Sequence, residues 1–529
     1  MNVKDLPTDQ VPDIRTLLQR AAQRWKNQIA VRFDPSEESL TFGDLDKISN
    51  QISNTIVRFG IKPGDRVGIM VRNQPMWPLL WFGIMKSGAV AVPLNVYYQS
   101  TDAGYLLSHS GTQLVFCESE FVSLLTDIVA DSERSAVTGV IPVDPSLMDR
   151  IRNASTLPPG VGITGKTLVN IQYTSGTTGQ PKGCMLSHEW FLRFAQRMEH
   201  AQNGLSRTDI LFTAQPFYYV DPQWNLVLSL LIGAELVVAD RFHPSTFWKA
   251  IVKYRVTWFY CLGVMPNLLL KLPPGKEDRN HQIRFVACSA IPPGLHRAIE
   301  QRWGVPWYEC FGMTESGLDI AVETDEHDEL VGSGCMGRPM TTREARVVDE
   351  MGNPIPPGQT GELIIRGPGF MLGYFRNPEA TASTLKNGWL HTGDLAKTDE
   401  KGRLYFVGRN KDMIRRSGEN IAAAEIEAVL MQHPAVKLAA CVAVSDEVRG
   451  EEIKSCIVLQ AEFTPKSMTP SILAAYCETK LAYFKIPRYW CFLKDLPRTP
   501  SEKIIKSALI KTDNHLLACV YDRQTETWV

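Results

Sequence analysis

Strand-like apolar runs alternate with helix-like stretches through most of this chain, and that rhythm restricts the fold more than any other feature. DRVGIMV (Asp65 to Val71) precedes a helical stretch around Met76 to Lys86, then come AVAVPLN and TQLVFC. Repeated β–α–β order predicts an α/β protein with parallel sheets flanked by helices. From about Met340 glycine turns multiply, in DEMGNPIPPGQTGELIIRGPG, KNGWLHTGD and DEKGRLYFVGR. These read as short antiparallel strands joined by tight turns, a small β-rich subdomain at the end of the large unit. Beyond Lys411 a helix near Ala423 to Met431, strands in VKLAACVAV and EIKSCIVLQ, a helix in PSILAAYCETKL and a strand in RYWCFLKDL make a smaller unit. The boundary is expected at Arg409 to Asp412, giving a large domain over 1–409 and a small α+β domain over 410–529.

At 529 residues the chain has room for roughly three domain-sized units. A net charge of −1 gives no electrostatic reason to expect nucleic acid. The first residues lack the basic start and apolar core of a signal peptide. The most apolar stretch, Trp77 to Val92, is broken by Lys86 and Ser87 and is too short to span a bilayer, so no integral membrane contact is expected. Eleven cysteines are scattered without a CxxC pair, which is neither a zinc pattern nor a disulfide framework. Buried thiols in a reducing compartment fit best, and the expected location is cytoplasmic.

Tyr173 to Gly183 reads YTSGTTGQPKG and follows the strand-like LVNIQYTS. A helix is expected after it, with Trp190, Phe191, Phe194 and Met198 on one face, so the loop is read as lying between a strand and a helix. Clustered backbone N–H groups with one lysine make an anion site, and helix N-termini favour phosphate. A solvated turn would account for the loop taken alone. It is not a Walker A loop, since Lys182 is followed by Gly183.

Further motifs follow in order: YECFGMTESG (Tyr308 to Gly317), GWLHTGD ending at Asp394, GRNKDMIRRSGENI (Gly408 to Ile421) and LPRTPSEKIIK (Leu496 to Lys506). Together they resemble the core motifs of the adenylate-forming superfamily, which includes acyl-CoA synthetases, adenylation domains and beetle luciferase. The resemblance runs from about Ile14 to Lys506. It implies that Thr174, Ser175, Gly176, Thr177, Thr178 and Lys182 grip the β- and γ-phosphates of ATP. Phe311 lies where the family stacks an aromatic ring on adenine, with Gly312 beside it, and stacking needs only the ring face. Thr314 matches a donor to the α-phosphate, and Glu315, with Thr178, matches the Mg²⁺ contacts. Asp394 matches the acceptor of both ribose hydroxyls, and Arg409 a ribose and phosphate contact. Lys503 matches the catalytic lysine, which relieves charge as a carboxylate attacks the α-phosphorus. Lys411 falls at the hinge of the small domain, and Ser417, Gly418 and Glu419 in the loop that serves the thiol step.

Two positions depart from the family. Glu502 stands where glycine usually precedes the catalytic lysine, and is expected to point to solvent. Tyr219 stands where many relatives carry a gating histidine, and cannot become cationic. The segment PFYYVDPQW (Pro216 to Trp224) also resembles the acyl-pocket region of carnitine/crotonobetaine–CoA ligases. By that resemblance Tyr218, Tyr219, Asp221, Trp224, Trp258 and Leu262 line the acyl pocket. Aromatic rings at Phe217, Tyr218, Tyr219, Trp224 and Trp258 around Asp221 could box a cationic head group, although aromatic stripes are more often packing.

The implied activity is an ATP-dependent, AMP-forming ligation of a small carboxylic acid to CoA, with Mg²⁺ and a possible homodimer. An acyl-AMP ligase loading a carrier protein is the alternative; no carrier segment lies before Val529, so the carrier is expected to be a separate protein. A non-catalytic nucleotide sensor is disfavoured because every charged position of the machinery is filled.

Overall fold

The computed structural model describes residues 11–131, 136–174, 181–201, 204–262, 265–416, 419–446, 448–498, 504–510 and 520–528. Met76–Lys86 forms the expected helix, buried along its whole length. It connects strands Arg66–Met70 and Val90–Pro93, which pair in parallel with Val67 opposite Ala91. Lys86, the charge that interrupts this apolar run, is buried with it. Its ammonium donates to Asp46 O at 3.0 Å, Asp46 Oδ1 at 2.7 Å and Asn50 Oδ1 at 2.8 Å. Each ammonium donor has an acceptor, which is the condition for burying a cation. Gly83 lets the neighbouring helix Phe42–Arg58 approach: a Cβ there would stand 2.4 Å from Ile52 Cγ2.

Among the described residues, a six-stranded sheet takes the spatial order Gly139–Pro142, Thr112–Cys117, Arg66–Met70, Val90–Pro93, Leu168–Thr174, Lys182–Ser187. Only its last pair is antiparallel. A 14-stranded sheet has a parallel part in which Trp307–Met313, Phe285–Ser289, Trp258–Leu262, Ile210–Thr213, Glu235–Ala239 and Ile29–Asp34 lie side by side. From Trp307–Met313 it continues antiparallel through Gly317–Ala321, Cys335–Pro339, Leu404–Arg409, Trp389–Thr398, Gly361–Arg366 and Glu344–Val348. The last four of these are the glycine-punctuated strands expected after Met340. A third sheet is built from Met413 onward around the long hairpin of Val436–Asp446 and Gly450–Leu459, with helices Ala423–Met431 and Pro470–Glu478 packed on it. This is the smaller C-terminal domain.

The largest apolar core joins one face of each large sheet through the helices Phe42–Arg58, Met76–Lys86, His188–Ala201 and Val220–Ile232. Separate cores cover the outer faces, with Leu106, Leu125 and Ile128 on one sheet and Trp248, Leu269 and Ile299 on the other. The large domain is therefore layered helix, sheet, helix, sheet, helix. That arrangement buries both faces of parallel strands and leaves their carboxyl ends for ligands.

Candidate active site

The strand Leu168–Thr174 leads into the glycine-rich loop, and Lys182–Ser187 returns antiparallel to it with Thr174 opposite Lys182. The loop thus joins two strands of a hairpin, and the helix His188–Ala201 follows the second one. This corrects the expectation of a direct strand-to-helix turn. KGCMLS is too short to show a period of two against its glycine and serine, so its pairing was not legible locally. Ser175, Gly176, Thr177 and Thr178 lie outside the described residues.

A second hairpin carries FGMTESG. Met313 pairs with Gly317, and the turn between them holds Thr314 and Glu315. Gly312 is demanded by this geometry, because a Cβ there would stand 2.2 Å from the Gly317 carbonyl oxygen. Phe311, one residue earlier, is half-buried and packs on the cluster of Ile320, Leu363, Ala396 and Leu404. Two residues earlier still, Glu309 accepts the amide N–H groups of Ala290 and Ile291 at 2.7 Å each. It thereby holds Ala290 at φ +67°, a left-handed conformation unfavourable for a residue with a Cβ. Sequence reasoning passed over Glu309, since an acid within an interior strand has no local signature of holding a loop.

The two hairpins meet through a residue the motifs did not single out. Residues 371–375 run along Lys182–Ser187: Leu372 N donates to Met185 O, Met185 N to Gly373 O and Phe375 N to Gly183 O, at 2.8, 3.0 and 2.8 Å. This places Tyr374 between the hairpins. Its hydroxyl donates to Glu315 Oε1 at 2.8 Å, and Lys182 Nζ stands 4.7 Å from the centre of its ring. Burial and the adjacent Glu315 carboxylate push the Tyr374 phenol well above its ordinary range, so it remains a donor. The Glu315 carbonyl accepts from Met371 N at 2.7 Å, tying the acidic turn to the same segment. Lys182, Tyr374 and Glu315 thus form a cation, a polar spacer and a carboxylate in line.

Asp394 is buried on Trp389–Thr398, directly opposite Arg409 in the ladder, and its Oδ1 lies 3.3 Å from Arg409 Nε. Arg409 is half-exposed, so this pair opens toward solvent. Asn410–Asp412 forms a short turn containing Lys411. Lys506 Nζ reaches Glu427 Oε1 at 2.7 Å and Asp412 Oδ2 at 3.7 Å, so Asn410–Asp412 is bonded to the last residue of the lysine motif. Lys503, Glu502, Ser417 and Gly418 lie outside the described residues. Glu419 begins the strand Glu419–Ala422, exposed and opposite Arg416.

The acyl-side residues divide into two groups. Phe217 stacks on Trp77 at 4.7 Å and Tyr218 packs into the core under the six-stranded sheet, with Tyr219 half-buried at 4.9 Å from it. Trp224 faces the other way, stacked on Phe194 at 4.4 Å and edge-on to Tyr260 at 5.3 Å. Its indole N–H donates to Asp221 Oδ1 at 3.3 Å. Tyr260 donates to Ser289 Oγ at 2.9 Å, and Ser289 Oγ to Cys310 O at 2.8 Å, which links this group to the Phe311 strand. Leu262 ends its strand at the carboxyl side, whereas Trp258 starts the same strand and is fully buried beneath Trp224. A single box of five aromatic rings is not formed: Phe217 and Trp258 are packing residues, and Asp221 keeps Trp224 and Tyr260 as its aromatic neighbours. Gln223 is structural. It accepts from Asn170 Nδ2 at 2.6 Å and donates to Phe217 O at 2.8 Å, while Gln172 Nε2 donates to Tyr218 O at 2.8 Å. These bonds fix the acyl segment against the strand that leads into the glycine-rich loop.

Among the described residues no group of three or more His, Cys, Asp or Glu side chains could hold a metal ion by itself. One half-buried carboxylate, Glu315, beside a lysine suits a hard ion that takes its other ligands from phosphate oxygens and water, as Mg²⁺ does.

The profile described as AMP-binding enzyme matches residues 18–375, and that described as AMP-binding enzyme C-terminal domain matches residues 425–503. A crotonobetaine/carnitine–CoA ligase of Salmonella arizonae is 31% identical over 491 residues, 89% of this chain and 93% of its own. That of Proteus mirabilis is 30% identical over 94% of this chain and 98% of its own. Among solved structures, an anthranilate CoA ligase, AuaEII, in complex with anthranoyl-AMP superposes with a TM-score of 0.87 at 26% identity, covering 96% of this chain and 98% of that one. A fatty acyl CoA synthetase of Mycobacterium tuberculosis gives a TM-score of 0.73 at 27% identity, covering 94% and 97%. With its layered fold, its paired hairpins and these relatives, the chain belongs to the AMP-binding enzyme family, as one of its acid–CoA ligases.

Proposed function

We propose that the protein activates a cationic, betaine-like carboxylic acid as its acyl-adenylate and passes the acyl group to CoA. In the first step a carboxylate oxygen attacks the α-phosphorus of ATP, and pyrophosphate leaves with the bonding electron pair. In the second the CoA sulfur attacks the acyl carbonyl, AMP leaves, and the thiol proton passes to solvent. A carboxylate is already nucleophilic, so the first step needs positioning and charge relief in place of a base. Lys182 and Lys503 supply cationic relief, Asp394 and Arg409 orient the ribose, and Phe311 stacks on adenine. Mg²⁺ bound beside Glu315 would neutralise phosphate charge. The boundary between the two domains falls at residues 409–410, Lys411 turns as the small domain rotates, and Glu419 belongs to the loop that serves the second step. Buried free thiols at every described cysteine support a cytoplasmic location.

The observation that carries the chemistry is the meeting of Lys182, Tyr374 and Glu315 at the carboxyl end of the strands. The cationic acid rests on Asp221, which accepts the indole N–H of Trp224 where that ring meets Tyr260 edge-on, and on the relatives, which are crotonobetaine/carnitine–CoA ligases. An anionic group among aromatic side chains favours a quaternary ammonium over a neutral head group.

The test is pyrophosphate release across a panel of betaines, unbranched fatty acids and benzoates, with and without CoA. Betaines are expected to give the highest kcat/KM, with acyl-CoA as product. Asp221→Asn should lower betaine kcat/KM by about tenfold or more while changing benzoate turnover little. Turnover of fatty acids or benzoates alone overturns the cationic substrate, and acyl-AMP that no CoA consumes overturns the thiol acceptor.

A further inference from the structure

Behind the Glu315 turn lies a buried charge network that no substrate group would touch. Asp319 and the Arg343 side chain are both fully buried, with Arg343 Nε donating to Asp319 Oδ1 at 2.7 Å. Arg343 Nη2 donates to Ser316 O and Nη1 to Pro368 O, each at 2.6 Å, and the guanidinium lies 4.5 Å from the Phe370 ring centre. Ser316 Oγ in turn donates to the second Asp319 oxygen. Arg197, from the helix His188–Ala201, donates to the same Pro368 O at 2.9 Å and to Thr342 Oγ1 at 3.4 Å. Two buried arginines thus meet at the Pro368 carbonyl with one carboxylate bonded to Arg343, an expensive arrangement to bury and weak evidence for stability alone.

Its geometry explains what it secures. Ser316 directly follows Glu315, and Pro368 begins the segment that carries Met371 and Tyr374, the residues bonded to Glu315. One planar guanidinium therefore fastens both the acidic turn and the strand that holds the turn's carboxylate. We infer that Arg343, set by Asp319, is a positioning residue for Glu315 and Tyr374, and through them for the metal-assisted adenylation step. This rests on the reaction proposed above. A lysine cannot replace it: an ammonium can keep the bond to Asp319 but not span Ser316 O and Pro368 O in one plane.

The experiment compares wild type with Arg343→Lys, which retains the charge pair, and with Arg343→Met, Asp319→Leu, which removes the pair and leaves Arg197 as the buried cation of the network. ATP affinity is measured by calorimetry with and without Mg²⁺, and the two half-reactions are timed separately, the second from supplied acyl-adenylate. Melting temperature reports the fold. Both variants should keep Mg²⁺-free ATP affinity and the thiol half-reaction within about twofold, and should lose at least about tenfold in adenylation and most of the affinity gained with Mg²⁺. Equal losses in both half-reactions, or an unchanged Mg²⁺ increment in Arg343→Lys, overturn the inference. If wild type binds ATP with Mg²⁺ but adenylates no acid, the proposed reaction fails while the binding arm still decides the role of Arg343.

Discussion

His188 is buried where the helices Ile14–Arg24 and His188–Ala201 meet, and its Nδ1 accepts the Ile14 amide at 3.2 Å. Nδ1 is therefore the unprotonated nitrogen, and Nε2 is buried without an acceptor. Burial, helped by the Arg15 charge, drives the imidazole down to about 3. The folded state resists a proton that the unfolded chain takes up below about 6.5. Its contribution to stability is thus present above about pH 6.5 and is lost as pH falls toward 3. One such group gives a slope of at most about 1.4 kcal/mol per pH unit. His188→Asn, whose amide oxygen can still accept the Ile14 amide, should show a shallower loss in urea melts between pH 6 and 4 by roughly that slope. Parallel profiles for the two proteins would show that another group carries the acid sensitivity.

The helix Met76–Lys86 makes the corresponding argument for an element. Every face of it is buried, so its one charge must be answered inside the fold, and the helix Phe42–Arg58 answers it with Asp46 and Asn50. Lys86→Met would strand the buried Asn50 oxygen and leave Asp46 unpaired, at a cost of about 3 kcal/mol in urea unfolding. Adding Asp46→Ala and Asn50→Leu should recover part of that loss, because both stranded side-chain acceptors are then gone, at the cost of the Asn50 bond to the Thr156 carbonyl. A triple variant as unstable as Lys86→Met would place the cost in packing instead. The same helix shows what was legible in the chain. Its bounds follow from the apolar run ended by lysine, serine and glycine, and the strands beside it are β-branched runs with turn residues at their ends. The glycine-rich hairpin was half legible: its loop is a local signal, but the returning strand is defined only by its partner. The line from Lys182 through Tyr374 to Glu315 spans 59 residues at one bond alone, and the Asp319–Arg343 pair spans 24. No window-based pattern reports such contacts, because each residue on its own reads as an ordinary surface polar group. The aromatic run at Pro216 to Trp224 failed for a related reason: ring type is visible in a sequence, but the face each ring turns to is set by the register of the helix that follows.

At the scale of the molecule, a two-step ligase needs its small domain to present different groups to one reaction centre, so the contacts that dock this domain must be few and polar. Two of its contacts with the large domain among the described residues are of this kind. Asn267 Nδ2 donates to Lys437 O at 3.1 Å, and Lys271 Nζ to Val436 O at 2.8 Å, both from the helix Met265–Leu270 and its end. Gly294 makes a further close approach, since a Cβ there would stand 2.5 Å from Gln432 Nε2, and Gly408 another, 3.3 Å from Ala422 Cβ. Burial lowers the Lys271 ammonium from its usual range, so its bond to a neutral carbonyl is a modest latch that rotation can break. Removing both donors, with Asn267→Ala and Lys271→Ala, should loosen the small domain without unfolding either domain. Limited proteolysis of the ligand-free protein around residues 409–412 is expected to speed up severalfold, with the melting transition of the large domain shifted by no more than about 2 °C. Because the latch opposes rotation, the same variant should reach the thiol step sooner after adenylation, which single-turnover kinetics from a preformed acyl-adenylate complex would register. Cleavage and transfer rates equal to wild type would mean that docking is carried by the hinge itself, through Lys506, Asp412 and Glu427.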